Sequence, residues 1–256
     1  MKNLKMTGVV FALVLGLSVP VQAHEFIVRV DPPAPATGAQ TRASFMASHV
    51  FTESDEMEDP ANVKASLIQN ENSTVLALKP DPAAKSLATE FTVTAKGPAW
   101  LAAHRLPQLW SQTPDGMMAG DKTTLSDKKV LSTTQYEKFV KVLLNPAAAD
   151  KSFSQPIGQA LEVVPLENPA GLKVGDEIKV RVLYNGNPVA VPVYASYMGF
   201  SDQPNTYAYY TEPEAGDAVV KVTAKGMWLI RANYKAPGSG DIKTHDLKAI
   251  LQFMVN

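Results

Sequence analysis

Apolar residues in this chain recur mostly with a period of two, in short runs rich in Val, Thr, Tyr and Phe that are punctuated by Gly, Pro and Asn. Alternation of this kind puts one face of an extended segment against a core and the other toward solvent, so it constrains the fold to β-structure. Strands are expected over 25–30, 42–51, 63–69, 73–79, 87–95 and 99–105, with turns at Asn70-Glu71-Asn72 and Lys96-Gly97-Pro98. The second half resumes the pattern: Asn185-Gly186-Asn187-Pro188 reads as a turn between two apolar strands, Gly171 and Gly175 bracket another, and further strands are expected over 218–222, 227–234 and 245–255. One helix is expected near 135–145, where Thr134-Gln135-Tyr136-Glu137 has the form of a capping box and Tyr136, Phe139, Val140, Leu143 and Leu144 fall at helical spacing.

The fold class expected is therefore all-β: two β-sandwich domains with one short helix between them. Residues 1–23 have the parts of a secretory signal, with Lys2 and Lys5, an apolar run from Val9 to Val19, and Val21-Gln22-Ala23 as a small-residue cleavage site. Residues 24–156 are expected to form the N-terminal sandwich and residues 157–256 an immunoglobulin-like or transthyretin-like one, since about seven short strands in about 95 residues suit that architecture. The stretch 147–156 is polar and small, as a linker or surface loop would be. Removal of the signal leaves a chain expected to be periplasmic or secreted and not membrane-spanning.

Cysteine is absent, which excludes disulfides, thiolate metal sites and a cysteine nucleophile. After loss of the signal, 22 Lys and Arg face 25 Asp and Glu, a net charge of −3 that disfavours nucleic acid as a partner. No GxSxG, HExxH, phosphate-loop or dinucleotide motif occurs, so the sequence carries no enzyme signature.

The four histidines are the candidate ligands. Cleavage after Ala23 would give His24 an α-amino group that can chelate one ion together with ring Nδ1; a frayed, solvated terminus is the alternative. His49 falls on the more apolar face of its strand with Ala43, Phe45 and Ala47, where a satisfied core histidine explains it as well as a ligand does. His104 shares a face with Trp100 and Ala102 and is open to the same two readings. His245 opens the last strand and reads first as a surface or interdomain residue, second as an additional ligand. The run Glu53-Ser54-Asp55-Glu56-Met57-Glu58-Asp59 carries five carboxylates just beyond His49. It reads as a solvated face, or as a device that concentrates cations beside that histidine. The tyrosine-rich stretch 205–216 reads as strand-edge residues or as an aromatic contact surface.

Ala23-His24-Glu25-Phe26 at the end of a signal, the run LEVVPLENPAGLKVGDEIKVRVLYNGNPVAVPVYA at 161–195, GMWLIRANYK at 226–235 and LKAILQFMV at 247–255 together resemble the DUF4198 family. Members of that family are often described as nickel or cobalt uptake periplasmic components. The resemblance implies a non-enzymatic exported protein that binds a divalent transition metal through histidines, here His24, His49 and His104 with His245 as a further candidate. Nickel or cobalt is the metal it favours, with copper or zinc as the alternatives. A metal transporter or outer-membrane receptor is the implied partner. Two other functions fit the same residues: a copper redox protein with an N-terminal histidine brace, and a metal-free envelope interaction module.

Overall fold

The computed structural model describes residues 24–256 apart from 52, 95, 147, 148, 150 and 215, so the expected signal segment lies outside the described residues. In the first half the strands are β1 (Glu25–Asp31), β2 (Gln40–Ser48), β3 (Val63–Gln69), β4 (Asn72–Leu76), β5 (Lys79–Asp81), β6 (Ser86–Thr92), β7 (Ala99–Thr113), β8 (Gly116–Ala119) and β9 (Ser132–Leu144). In the second half they are β10 (Leu161–Pro165), β11 (Glu177–Tyr184), β12 (Asn187–Pro188), β13 (Val193–Tyr197), β14 (Tyr209–Thr211), β15 (Asp217–Lys221), β16 (Gly226–Pro237) and β17 (Ile242–Val255). Helical structure among the described residues is confined to three short 3-10 turns, so the protein is all-β. Among the described residues no helix is long and apolar enough to cross a membrane.

The helix expected near 135–145 is corrected to strand β9. Residues 137–144 are buried without a break, because β9 lies in the middle of a sheet that is covered on both faces. Phe139 and Leu143 point into one core, while Val140, Val142 and Leu144 point into the other. Apolar pairs from two opposite strand faces thereby mimic helical spacing. Thr134, read as a helix cap, pairs with Trp110 of β7 instead.

The described residues form three sheets. A four-stranded sheet runs β1-β2-β6-β5; a nine-stranded sheet runs β14-β13-β16-β17-β9-β7-β3-β4 with β8 hydrogen-bonded to β7; and β10, β11, β12 and β15 form the third. The nine-stranded sheet is central. Its Leu101, Ala103, Val140, Leu229 and Ile250 join Phe26, Val28, Phe45 and Phe91 of the first sheet in one core. From its other face, Trp100, Phe139, Trp228, Ile230 and Leu251 join Val163, Ile178, Val180 and Val220 of the third sheet. The boundary expected at 156/157 falls between β9 and β10 but does not divide the sheets, because β17 pairs in parallel with β9, Ile250 opposite Val140. The expected linker is itself anchored, since Phe153 is buried in the second core.

Turn chemistry follows the sequence. Asn70 and Glu71 both take left-handed φ values, 47° and 66°, between β3 and β4, as the twist of a two-residue hairpin requires. Asn185 and Gly186 do the same between β11 and β12.

Candidate metal centre

β1 and β2 are antiparallel with Glu25 opposite Ser48, and the same register carried one residue further sets His24 against His49. The two rings stand 4.1 Å apart between centroids. Beyond His49 the chain folds back on β2: the Asp55 amide donates to the carbonyl of Ala47 at 2.9 Å. The buried hydroxyl of Ser48 bonds to the carbonyls of Val50 and Glu53 and so holds the loop in shape. Ser54 Oγ donates to the carbonyl of Lys85 at 2.6 Å, fixing the returning segment to the loop between β5 and β6.

Asp55 and Glu56 are delivered to the histidines by this fold-back. Asp55 Oδ2 accepts from the His49 backbone N–H at 2.7 Å and lies 3.0 Å from ring Nδ1. The same oxygen is 3.9 Å from Nε2 of His24, whose Nδ1 lies 3.0 Å from Glu56 Oε1. One ligand atom from each of His24, His49 and Asp55 falls within 4.8 Å of the others, which is the reach of a single cation. Both rings are partly exposed, 23% for His24 and 30% for His49, so an ion has access from solvent.

The electrostatics of these groups follow from the same contacts. Burial lowers the pKa of His24; the Glu56 carboxylate acts against this, and the His49 and Lys138 charges add to it. The ring is thus neutral, as a metal ligand must be, over a wider pH range than an ordinary histidine. Burial would raise the carboxyl of Asp55, but the backbone and ring bonds from His49, with the His49 and His24 charges, hold it below its usual range.

Behind the site the start of β1 is tied to the central sheet by buried polar groups. Lys138 Nζ donates to the His24 carbonyl at 2.7 Å. Its burial, with the Arg105 charge, lowers its pKa to about 8 against the opposing pull of Glu58. Glu25 Oε1 accepts from Lys248 at 3.1 Å and from the Tyr207 hydroxyl at 3.3 Å, and lies 3.3 Å from Arg231. Gln252 of β17 donates to the Val28 carbonyl and accepts from the Val28 amide, both at 2.8 Å. It takes the place of a neighbouring strand on that edge of β1.

His104 does not join His24 and His49. Alternation along β7 places it on the opposite face of the central sheet, stacked on Phe139 at 4.6 Å. There it meets His245: Glu137 Oε1 lies 2.6 Å from His104 Nε2 and Glu137 Oε2 lies 2.7 Å from His245 Nε2. Burial would raise Glu137, but the bonds and charges of the two histidines hold it below the ordinary carboxylate range. His104 and Glu137 line a cleft of about 1440 Å³, with Ile68, Trp100 and Ala102 also along it and residues 155–160 as its wall. The four histidines are thus two separate pairs.

Sequence reasoning missed Asp55 and Glu56 as individual partners, although the acidic run after His49 was the signal that could have found them. Glu137 was hidden by its resemblance to a helix-capping residue. Of the tyrosine-rich stretch, Tyr207 packs its hydroxyl onto Arg231 at 2.7 Å.

Several solved structures are similar to this chain at low identity. The full ectodomain of mouse nectin-like molecule 4 shows 12% identity, covering 91% of this chain and 65% of that one, with a TM-score of 0.19. The fibronectin(III)-like modules of Clostridium thermocellum CbhA show 12% identity, covering 90% of this chain and 94% of theirs, with a TM-score of 0.22. The BSP domain of a biofilm associated protein shows 13% identity over 92% of this chain and 29% of its own, with a TM-score of 0.22. The chain therefore spans just under two thirds of the nectin-like ectodomain and less than a third of the biofilm protein's chain. No curated protein matches. The model of the family DUF4198, a domain of unknown function, matches residues 21–236, and the chain belongs to that family.

Proposed function

We propose that the protein is an exported, non-enzymatic carrier that binds a divalent transition metal at His24, His49 and Asp55 and passes it to a metal transporter or outer-membrane receptor. The observation that supports this reading is the convergence of two imidazoles and a carboxylate within 4.8 Å at the solvent-facing end of the β1–β2 pair. Two nitrogens and one oxygen suit nickel, cobalt, zinc or copper better than calcium or magnesium, which prefer all-oxygen surroundings. Three ligands leave coordination positions for water, which suits a cargo that must be released. Nickel or cobalt is the favoured cargo.

Isothermal titration of residues 24–256 with Ni²⁺, Co²⁺, Cu²⁺ and Zn²⁺ tests the reading. His49→Ala and Asp55→Ala are each expected to weaken binding by more than the roughly 10–100-fold that loss of an outer-shell partner costs. His104→Ala is expected to leave it unchanged. Lowering the pH through the depressed pKa of His24 is expected to release the ion, because protons then compete for the ring. Wild-type affinity in both His49→Ala and Asp55→Ala would remove the site.

A further inference from the structure

His24 offers its two ring nitrogens to different neighbours. Nε2 faces Asp55, 3.9 Å away, on the side where His49 stands. Nδ1 faces Glu56 at 3.0 Å. An α-amino group on the same residue closes a six-membered chelate only through Nδ1, so an ion held that way would sit on the Glu56 side of the ring. An ion shared with His49 and Asp55 has Nε2 as its natural contact. One ring in this orientation cannot serve both arrangements with a single ion.

The surroundings favour the second arrangement. The main chain of His24 is fixed by the 2.7 Å bond from Lys138 to its carbonyl, and the next residue, Glu25, is buried against Lys248 and Arg231. With the backbone held, ring orientation depends on the contacts of the ring. A carboxylate at the nitrogen away from the ion sets tautomer and tilt, leaving the other nitrogen's lone pair for the metal.

We infer that the ion is held through Nε2 of His24 with His49 and Asp55, that Glu56 is a positioning residue on Nδ1, and that binding does not need a free amino group on His24. This rests on the metal-binding reading above and deepens it. It sets the protein apart from a histidine brace, in which the amine is itself a ligand. It also means that the site can load metal while residues preceding His24 are still attached.

The test compares two forms, one beginning at His24 and one retaining Gln22-Ala23 ahead of it, each titrated with Ni²⁺. Their affinities are expected to agree within about twofold, a difference too small to represent a lost ligand. With Co²⁺ the visible absorption spectrum, which reports the ligand set directly, is expected to be the same for both. Glu56→Ala is expected to weaken binding about tenfold, and Glu56→Gln, which keeps an oxygen facing Nδ1, to recover most of it. Binding by the His24-initiated form alone overturns the inference and leaves the metal reading standing. Absence of binding in both forms overturns the metal reading itself. Wild-type affinity in Glu56→Ala overturns the role given to Glu56.

Discussion

Lys141 and Glu162 form a 2.6 Å ion pair in which each side chain is 1% exposed. Glu162 also accepts backbone N–H bonds from Ile157, Gly158 and Gln159, so this pair fixes the segment that walls the large cleft. Lys141 lies 4.6 Å from the Trp100 ring centroid, and burial lowers its pKa although Glu162 opposes this. Lys141→Met is expected to cost about 3–5 kcal/mol in urea denaturation, because it leaves a buried carboxylate without its counter-charge. Adding Glu162→Gln should return much of that loss. Nothing in the local sequence marks Lys141 as buried, since its counter-charge lies 21 residues away. His24 and His49 were legible as candidates from their positions at strand ends. That they meet each other and not His104 was not, because face alternation is readable within one strand while the partner of each face is set by other strands.

At the scale of elements, β1 depends on a side chain acting as a strand. Gln252 is fully buried and satisfies both the N–H and the C=O of Val28. Gln252→Leu would leave those two groups unpaired, at about 1–3 kcal/mol each. Hydrogen exchange at the Val28 amide is expected to accelerate in this variant more than at β16, which is paired with strands on both sides, β13 and β17. Most strands could be placed from alternation and turn residues, as β3, β11 and β16 illustrate. β9 could not, since a strand buried on both faces loses the alternation that identifies it.

The whole molecule is bound together by one parallel seam. β9 ends the first half of the chain and β17 ends the second, and their pairing from Ile242 to Gln252 makes the central sheet continuous. Both cores rest on that sheet, so neither half keeps its core without strands from the other. Calorimetry of residues 24–256 is expected to give one cooperative transition with equal calorimetric and van't Hoff enthalpies. Two resolved transitions would mean that the halves unfold separately. A fragment ending at residue 156 is expected not to fold, as it lacks the neighbour of β9.

The sequence by itself determined the β class, the turns and the candidate ligands, because these rest on period, on φ preferences at residues such as Asn70 and Asn185, and on the chemistry of four histidines. Tertiary structure alone decided that the halves share a sheet, that β9 is a strand, and that His24 meets His49 and Asp55 while His104 meets Glu137 and His245. The physical reason is that register and sheet order depend on contacts between residues far apart in the chain. Such contacts leave no local pattern: His24 reaches His49 through the β1–β2 ladder, not through proximity along the chain.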